Sequence, residues 1–510
     1  MQSHQLWILL MVGFMVVANS AYAGLIDKIK DTYQDLEDKV SAAFEPDIKQ
    51  EPSPESDSPV KVYSYPSQWQ TRHLQEPVFN SEIFIVESGI EHNETVLLLH
   101  GLGEIGSQDW LQVIPALASQ YHVVAFDLPG FGNSETPPGR YSPSNYAKIV
   151  AWLVTHHIKQ NVYVIGHSMG GAVALRYAAT YPEQVKKLIL ADVAGILEKT
   201  AFVKHSIKPP IDMHQAPKAV QKLGTQLIDL GGSLVEMSML TPDLGKRLNN
   251  DPELWNRAFA TRPNANAAVA LIMENFSEAI KSLPHETYII WGKQDAVAPL
   301  RTGILLNGRL QKAQLQVIEE AAHVPMKSHS EVFNSLVLSA LSSGWPVSNM
   351  GKAREPKSYK KPQEDLLCHN EVGKTYSGNF RRIHIIGCTG IRLENVTAEK
   401  LRVEGSVIEV VDTTIKTEET AVKAKESVIT ATNTQFAGEV SMEAKGSRID
   451  AAGVTFKGNG MAIISAERSR FIFSVSELQS DIYQGFVHEA FVVKNEVLDK
   501  LIAEAMMVKN

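Results

Sequence analysis

The sequence predicts an α/β domain built on a largely parallel sheet, followed by an all-β domain of parallel β-helix type. Three observations carry this expectation. Continuous apolar, β-branched runs alternate with helix-like stretches between about residues 77 and 345, as expected of strands covered by helices on both faces. Beyond about residue 365 helix signals give way to Val, Ile, Thr, Ser and Gly. Within that second part a motif returns every 20 to 22 residues, the mark of units that must stack to bury an apolar face.

Taken in order, the chain opens with an apolar run from Leu6 to Ala18, too short for a confident membrane span. It ends in Ala21-Tyr22-Ala23, an A-x-A cleavage signal, so residues 1–23 read as a signal peptide and Gly24 as the mature start. The leader carries no Lys or Arg, which leaves an uncleaved anchor as the alternative. The expectation is export, to the periplasm, the outer membrane or the medium. Residues 24–76 read as an amphipathic helix to about Phe44 and then a Pro-, Ser- and acid-rich linker. A polar face that is not predominantly basic favours packing on the protein over binding a membrane.

At 510 residues the chain exceeds a single core, and several domains are expected. A net charge of −8 gives no reason to expect nucleic acid as a partner. Candidate strands are Ile83–Glu87, Thr95–Leu99, His122–Phe126, Val162–Ile165, Lys187–Ala191, Thr287–Trp291 and Leu315–Glu319. Helical patterns lie between them, including Ser144–His157 and Ala172–Tyr181. From about 196 to 283 the strand rhythm stops and helical patterns, Ala219–Asp229 and Ala265–Ile280, suggest a cap over the strand ends. In such sheets ligands bind beyond the carboxyl ends of the strands.

The motifs that carry chemistry fall at those ends. Gly166-His167-Ser168-Met169-Gly170-Gly171 lies between the strand Val162–Ile165 and an Ala-rich helix. That context gives G-x-S-x-G its meaning: a strained turn that lifts Ser168 out of the sheet at a helix start. A serine nucleophile needs a base and a carboxylate that orients it. Downstream, Thr287–Trp291 runs into Gly292-Lys293-Gln294-Asp295, and Leu315–Glu319 runs into Ala321-Ala322-His323. Asp295 is the favoured acid and Asp192, after Lys187–Ala191, the competing one; His323 is the base. For the oxyanion the expected donors are the N–H groups of Met169 and of Leu102, in His100-Gly101-Leu102-Gly103. No metal cluster, phosphate loop or dinucleotide fingerprint is visible, since Gly101-Leu102-Gly103 lacks the third glycine. Neither cofactor nor metal is expected.

On these motifs, together with Asp127-Leu128-Pro129-Gly130-Phe131-Gly132-Asn133-Ser134, residues 77–345 resemble the α/β-hydrolase fold superfamily, in the branch with a helical cap. The resemblance implies acyl transfer to water on a small apolar ester or related acyl substrate. Similar sequences also include lipases, carbon–carbon bond hydrolases and cofactor-free haloperoxidases. Members with Asp as nucleophile are disfavoured, because position 168 is serine.

Residues 346–365, rich in Pro, Lys and Arg, read as a linker. In 366–480 the repeat is Ser406-Val407-Ile408, Ser427-Val428-Ile429, Ser447-Arg448-Ile449 and Ser469-Arg470-Phe471. Seven positions after each third residue stand Ile415, Phe436, Phe456 and Leu478. A parallel β-helix accounts for this most economically; a small sandwich is the alternative. Its partner would be a glycan or an envelope component, in which case the chain could act as a binding scaffold. Cys368 and Cys388 lie about one repeat apart, within disulfide reach if they sit on adjacent coils, with two buried free thiols as the other outcome. Residues 481–510 are expected to close the chain with a helix over Val487–Met507 that covers the open end or binds a partner.

Overall fold

The computed structural model describes residues 63–198, 201, 250–259, 262–345 and 364–507. The leader, the amphipathic stretch, the acidic linker after it, the 219–229 pattern and most of the 346–365 linker lie outside the described residues. Among the described residues no helix is long and apolar enough to cross a membrane.

Eight strands form the first sheet: β1 (Gln70–Glu76), β2 (Ser81–Ser88), β3 (Thr95–Leu99), β4 (His122–Phe126), β5 (Val162–His167), β6 (Val185–Ala191), β7 (Thr287–Gly292) and β8 (Ala313–Ile318). Their spatial order is β1-β2-β4-β3-β5-β6-β7-β8. β2 runs antiparallel to β1 and β4, and every later pair is parallel. Burial explains the apolar runs. Every residue of β3 is buried, with Leu97 and Leu99 entering one core and Val96 and Leu98 the core on the opposite face. β1 corrects the reading of 24–76 as helix and linker. Its polar sequence is mostly exposed at the sheet edge, so it carries no apolar run to betray it.

The connecting helices include α1 (Pro143–Leu153) and α2 (Met169–Thr180). Ser142 caps α1 by accepting the Asn145 N–H, with proline at the first helical position. Between β6 and β7 the described residues hold α3 (Pro252–Phe259), α4 (Pro263–Ile272) and α5 (Ser277–Ser282), and no strand. The expected single helix 265–280 is two helices, because Asn275 Oδ1 takes the Ser277 N–H and starts the chain afresh. Next come α6 (Leu300–Arg309), after β7, and α7 (Ser330–Ser342).

The C-terminal part is all-β: fifteen strands, β9 (Leu366–His369) to β23 (Glu496–Val497), in one mostly parallel sheet system. Residues one repeat apart face each other in register. One row runs Ile391, Ile408, Ile429, Ile449, Phe471; another runs Ala398, Ile415, Phe436, Phe456, Leu478. Both are buried in one core. The repeated serine has its own structural reason. Ser406, Ser427 and Ser447 each donate their N–H to the hydroxyl of the next, ending at Ser469, each at 3.2 Å. Their hydroxyls donate to the carbonyls of Glu404, Lys425 and Lys445. Cys368 and Cys388 are buried and joined as a disulfide.

The end of the chain corrects the expected helix over 487–507. Three strands, β21 (Gln484–Val487), β22 (Ala490–Val493) and β23, pair antiparallel with β20 (Ser476–Gln479), β19 (Ser469–Ser474) and β18 (Thr455–Ala466). Only α8 (Leu498–Met507) is helical. The open strand edges take up Val487 and Val493 before helix can form, and Asp499 then accepts the Ala462 N–H at 2.8 Å.

Candidate active site

The Ser168 turn is built by what its neighbours lack. Ser168 has φ +53 and ψ −119, between the last residue of β5 and the first of α2. A Cβ on Gly166 would lie 2.3 Å from the Gly170 carbonyl oxygen, and one on Gly170 would lie 2.2 Å from that of Leu99. Only glycine permits so close a crossing. The Ser168 N–H donates to the Ala191 carbonyl of β6 at 2.9 Å, tying the turn to the sheet.

Two loops at the ends of β7 and β8 deliver the other groups. Asp295 Oδ1 accepts the N–H groups of Val297 and Ala298, at 2.7 and 2.9 Å, and Oδ2 faces His323 Nδ1 at 2.8 Å. The Asp295 carboxylate accepts here, so Nδ1 is the donor. His323 Nε2 then lies 3.0 Å from Ser168 Oγ and accepts its proton. Ser168, His323 and Asp295 are brought together. The Asp295 side chain is fully buried, and that of His323 is 17% exposed. Gly292 makes the crossing possible: a Cβ there would lie 2.3 Å from the Ala322 carbonyl oxygen.

Two neighbours complete the arrangement. His167 Nε2 donates to the His323 carbonyl at 2.7 Å. Burial, and next the His323 ring, push its pKa down to about 4, so it is a neutral donor. Asp192, the competing acid, is not bonded to the His323 ring. Its Oδ1 accepts the Gly292 N–H at 2.8 Å. Burial and the charge of Asp295 raise its carboxyl well above the usual range. Neither residue had a role in the sequence reading beyond motif position and rival acid. Ligand atoms of Asp192, Asp295 and His323 lie within 4.8 Å of one another, the one such group among the described residues. Those of Asp295 are already taken up by N–H donors.

The expected oxyanion loop lies against Ser168. A Cβ on Gly101 would be 3.0 Å from Ser168 Cβ, and Leu102 follows directly. His100 holds this loop, with Nε2 accepting the Leu128 N–H at 2.9 Å and Nδ1 donating to the Gly101 carbonyl at 2.7 Å. Met169 opens α2, where N–H groups have no intrahelical acceptor. The 127–134 motif proves architectural: buried Asp127 accepts the N–H groups of Ser107 and Asn133, at 2.6 and 2.7 Å, and so closes its own loop.

A family model described as the α/β hydrolase fold matches residues 94–330. Residues 94–330 are an α/β-hydrolase domain. Two curated relatives of this hydrolase domain are 2-hydroxy-6-oxononadienedioate/2-hydroxy-6-oxononatrienedioate hydrolases. The one from Pseudomonas putida is 28% identical over 260 residues, 49% of this chain and 89% of the relative. That from Comamonas testosteroni is 28% identical over 277 residues, 52% of this chain and 93% of its own. Among solved structures, a thermophilic esterase from Thermogutta terrifontis is 20% identical, with a TM-score of 0.40, over 54% of this chain and 98% of its own.

Proposed function

We propose that this α/β hydrolase cleaves carboxylic esters through a covalent acyl-enzyme on Ser168. The observation that carries the reading is the continuous hydrogen-bonded line from Ser168 Oγ through His323 to Asp295. His323 Nε2 removes the Ser168 proton as Oγ attacks the ester carbonyl. The oxyanion is held by the N–H groups of Met169 and Leu102. Collapse breaks the carbonyl–alkoxy bond, and the alcohol leaves with the proton that His323 returns. Water, deprotonated by the same imidazole, then attacks the acyl-enzyme; the acyl–Oγ bond breaks, His323 returns the proton to Ser168 Oγ, and the acid is released. Asp295 keeps Nδ1 protonated and stabilises the imidazolium formed at each attack.

The substrate is read as a small apolar acyl compound, with chain length set by the cap. A second reading is carbon–carbon bond hydrolysis with the same triad, favoured by the activity for which the two bacterial relatives are named. Residues 1–23 and the Cys368–Cys388 disulfide support an exported enzyme, periplasmic, outer-membrane-associated or secreted. The C-terminal region is read as a parallel β-helix that holds a glycan or envelope partner, because positions one repeat apart stack in register.

A fluorophosphonate probe tests the nucleophile. The wild-type chain should be labelled and Ser168→Ala should not; equal labelling of both would remove Ser168 from the role. A graded series of p-nitrophenyl esters, set against a vinylogous diketone, separates the two substrate readings.

A further inference from the structure

The C-terminal region meets the hydrolase domain on α6, the helix that follows the Asp295 loop. Val297 and Ala298, whose N–H groups hold Asp295, lead through Pro299 into this helix, and Arg301 lies in its first turn. The Arg301 guanidinium donates to Thr432 Oγ1 and the Ala431 carbonyl, both at 2.8 Å, to Asp450 Oδ1 at 2.9 Å and to the Asp450 carbonyl at 3.0 Å. The Arg301 and Asp450 side chains are 14% and 10% exposed. Next along the helix, Asn433 Nδ2 donates to the Ile304 carbonyl at 2.6 Å. At its far end Arg309 donates to Thr455 Oγ1 at 3.2 Å. Apolar contact is continuous as well, since Ala452, Ile472 and Val475 belong to the core of the hydrolase domain.

A flexible tether would not require this much shielded polar geometry. A planar guanidinium bonded to four acceptors fixes direction as well as distance, which a point charge would not do. Its position, six residues after Asp295, sets where the acid loop ends. A second attachment lies on the segment leaving Asp192, where the Glu198 N–H donates to Ser474 Oγ at 2.8 Å.

We infer that the all-β region positions the acid of the active site: Arg301, clamped by Asp450, Ala431 and Thr432, holds α6 so that Asp295 stays aligned with His323. Arg301 is a positioning residue, and the inference rests on the triad reading above. A displacement of about 1 Å at a reacting group can cost on the order of 10² in rate.

The experiment uses the full chain and p-nitrophenyl acetate turnover, with Asp295→Asn measured first. A wild-type kcat in Asp295→Asn would sink the triad reading itself, independently of Arg301. With Asp295→Asn impaired, Arg301→Ala should lower kcat roughly ten- to a hundredfold while KM changes less than about twofold. Arg301→Lys, which can still reach Asp450, should recover part of the loss. In the Asp295→Asn background, Arg301→Ala should produce little further loss, because the group it positions is already disabled. A folded Arg301→Ala with wild-type kcat overturns the inference, as does a loss of equal factor in both backgrounds. Should Arg301→Ala not fold, Thr432→Val, which removes one acceptor, decides: a reduced kcat supports the clamp and an unchanged kcat refutes it.

Discussion

His167 precedes Ser168 and is wholly enclosed, and its titration follows from that. Its folded pKa of about 4 lies below the roughly 6.5 of an unfolded chain. Above pH 6.5 both states are neutral and stability is undiminished. As pH falls from 6.5 toward 4 the unfolded chain takes up a proton that the folded chain refuses, and stability drops by up to about 3 kcal/mol. Denaturant unfolding at pH 7 and pH 5 should show this loss in the wild type and a smaller one in His167→Gln. Equal losses would assign the acid sensitivity elsewhere. Among single residues, the grouping of Ser168, Asp295 and His323 was legible because each stands just past an apolar run, in the order the proposed chemistry needs. Asp295 was separable from Asp192 only through loop chemistry; the structure adds the hydrogen bond that distinguishes them. Arg301 could not be found that way, since its partners lie 130 to 149 residues further along the chain.

At the scale of elements, the recurring serine is a backbone device. Ser447 accepts the Ser427 N–H and donates to the Lys445 carbonyl; its removal leaves the buried Ser427 N–H without that acceptor, while the Lys445 carbonyl keeps the Glu426 N–H. Ser447→Ala should therefore destabilise the region by about 1–3 kcal/mol, read as a lower midpoint in urea with Ser168 labelling retained at low denaturant. An unchanged midpoint would mean that water replaces the hydroxyl. Elements with apolar faces on both sides were legible in outline, as β3 and β4 illustrate. β1 escaped because an exposed edge strand needs no apolar alternation. The closing segment misled for the opposite reason. Val487, Phe491 and Leu498 satisfy a helical spacing, yet the first two serve strands that pair with the open edge.

For the whole molecule, the disulfide ties the first described strand of the C-terminal region to the end of the next. It closes a loop of 20 residues, a length for which cross-linking contributes about 3 kcal/mol. Unfolding without reductant should expose no titratable thiol, and two after reduction. Reduced protein should lose stability in its all-β part while keeping its rate on small esters, because the docking on α6 lies several strands away.

The shared register from Ile391 to Phe471 also governs how this architecture can change size. Adding one amino acid within a strand would turn the later side chains of that strand inside out. Duplicating a full period ahead of Val428 would leave the clamp around Arg301 undisturbed. Within the strands, lengthening should therefore come as whole repeats, whereas the turns between them take up single residues, as the unequal spacing of Ile391, Ile408, Ile429, Ile449 and Phe471 illustrates.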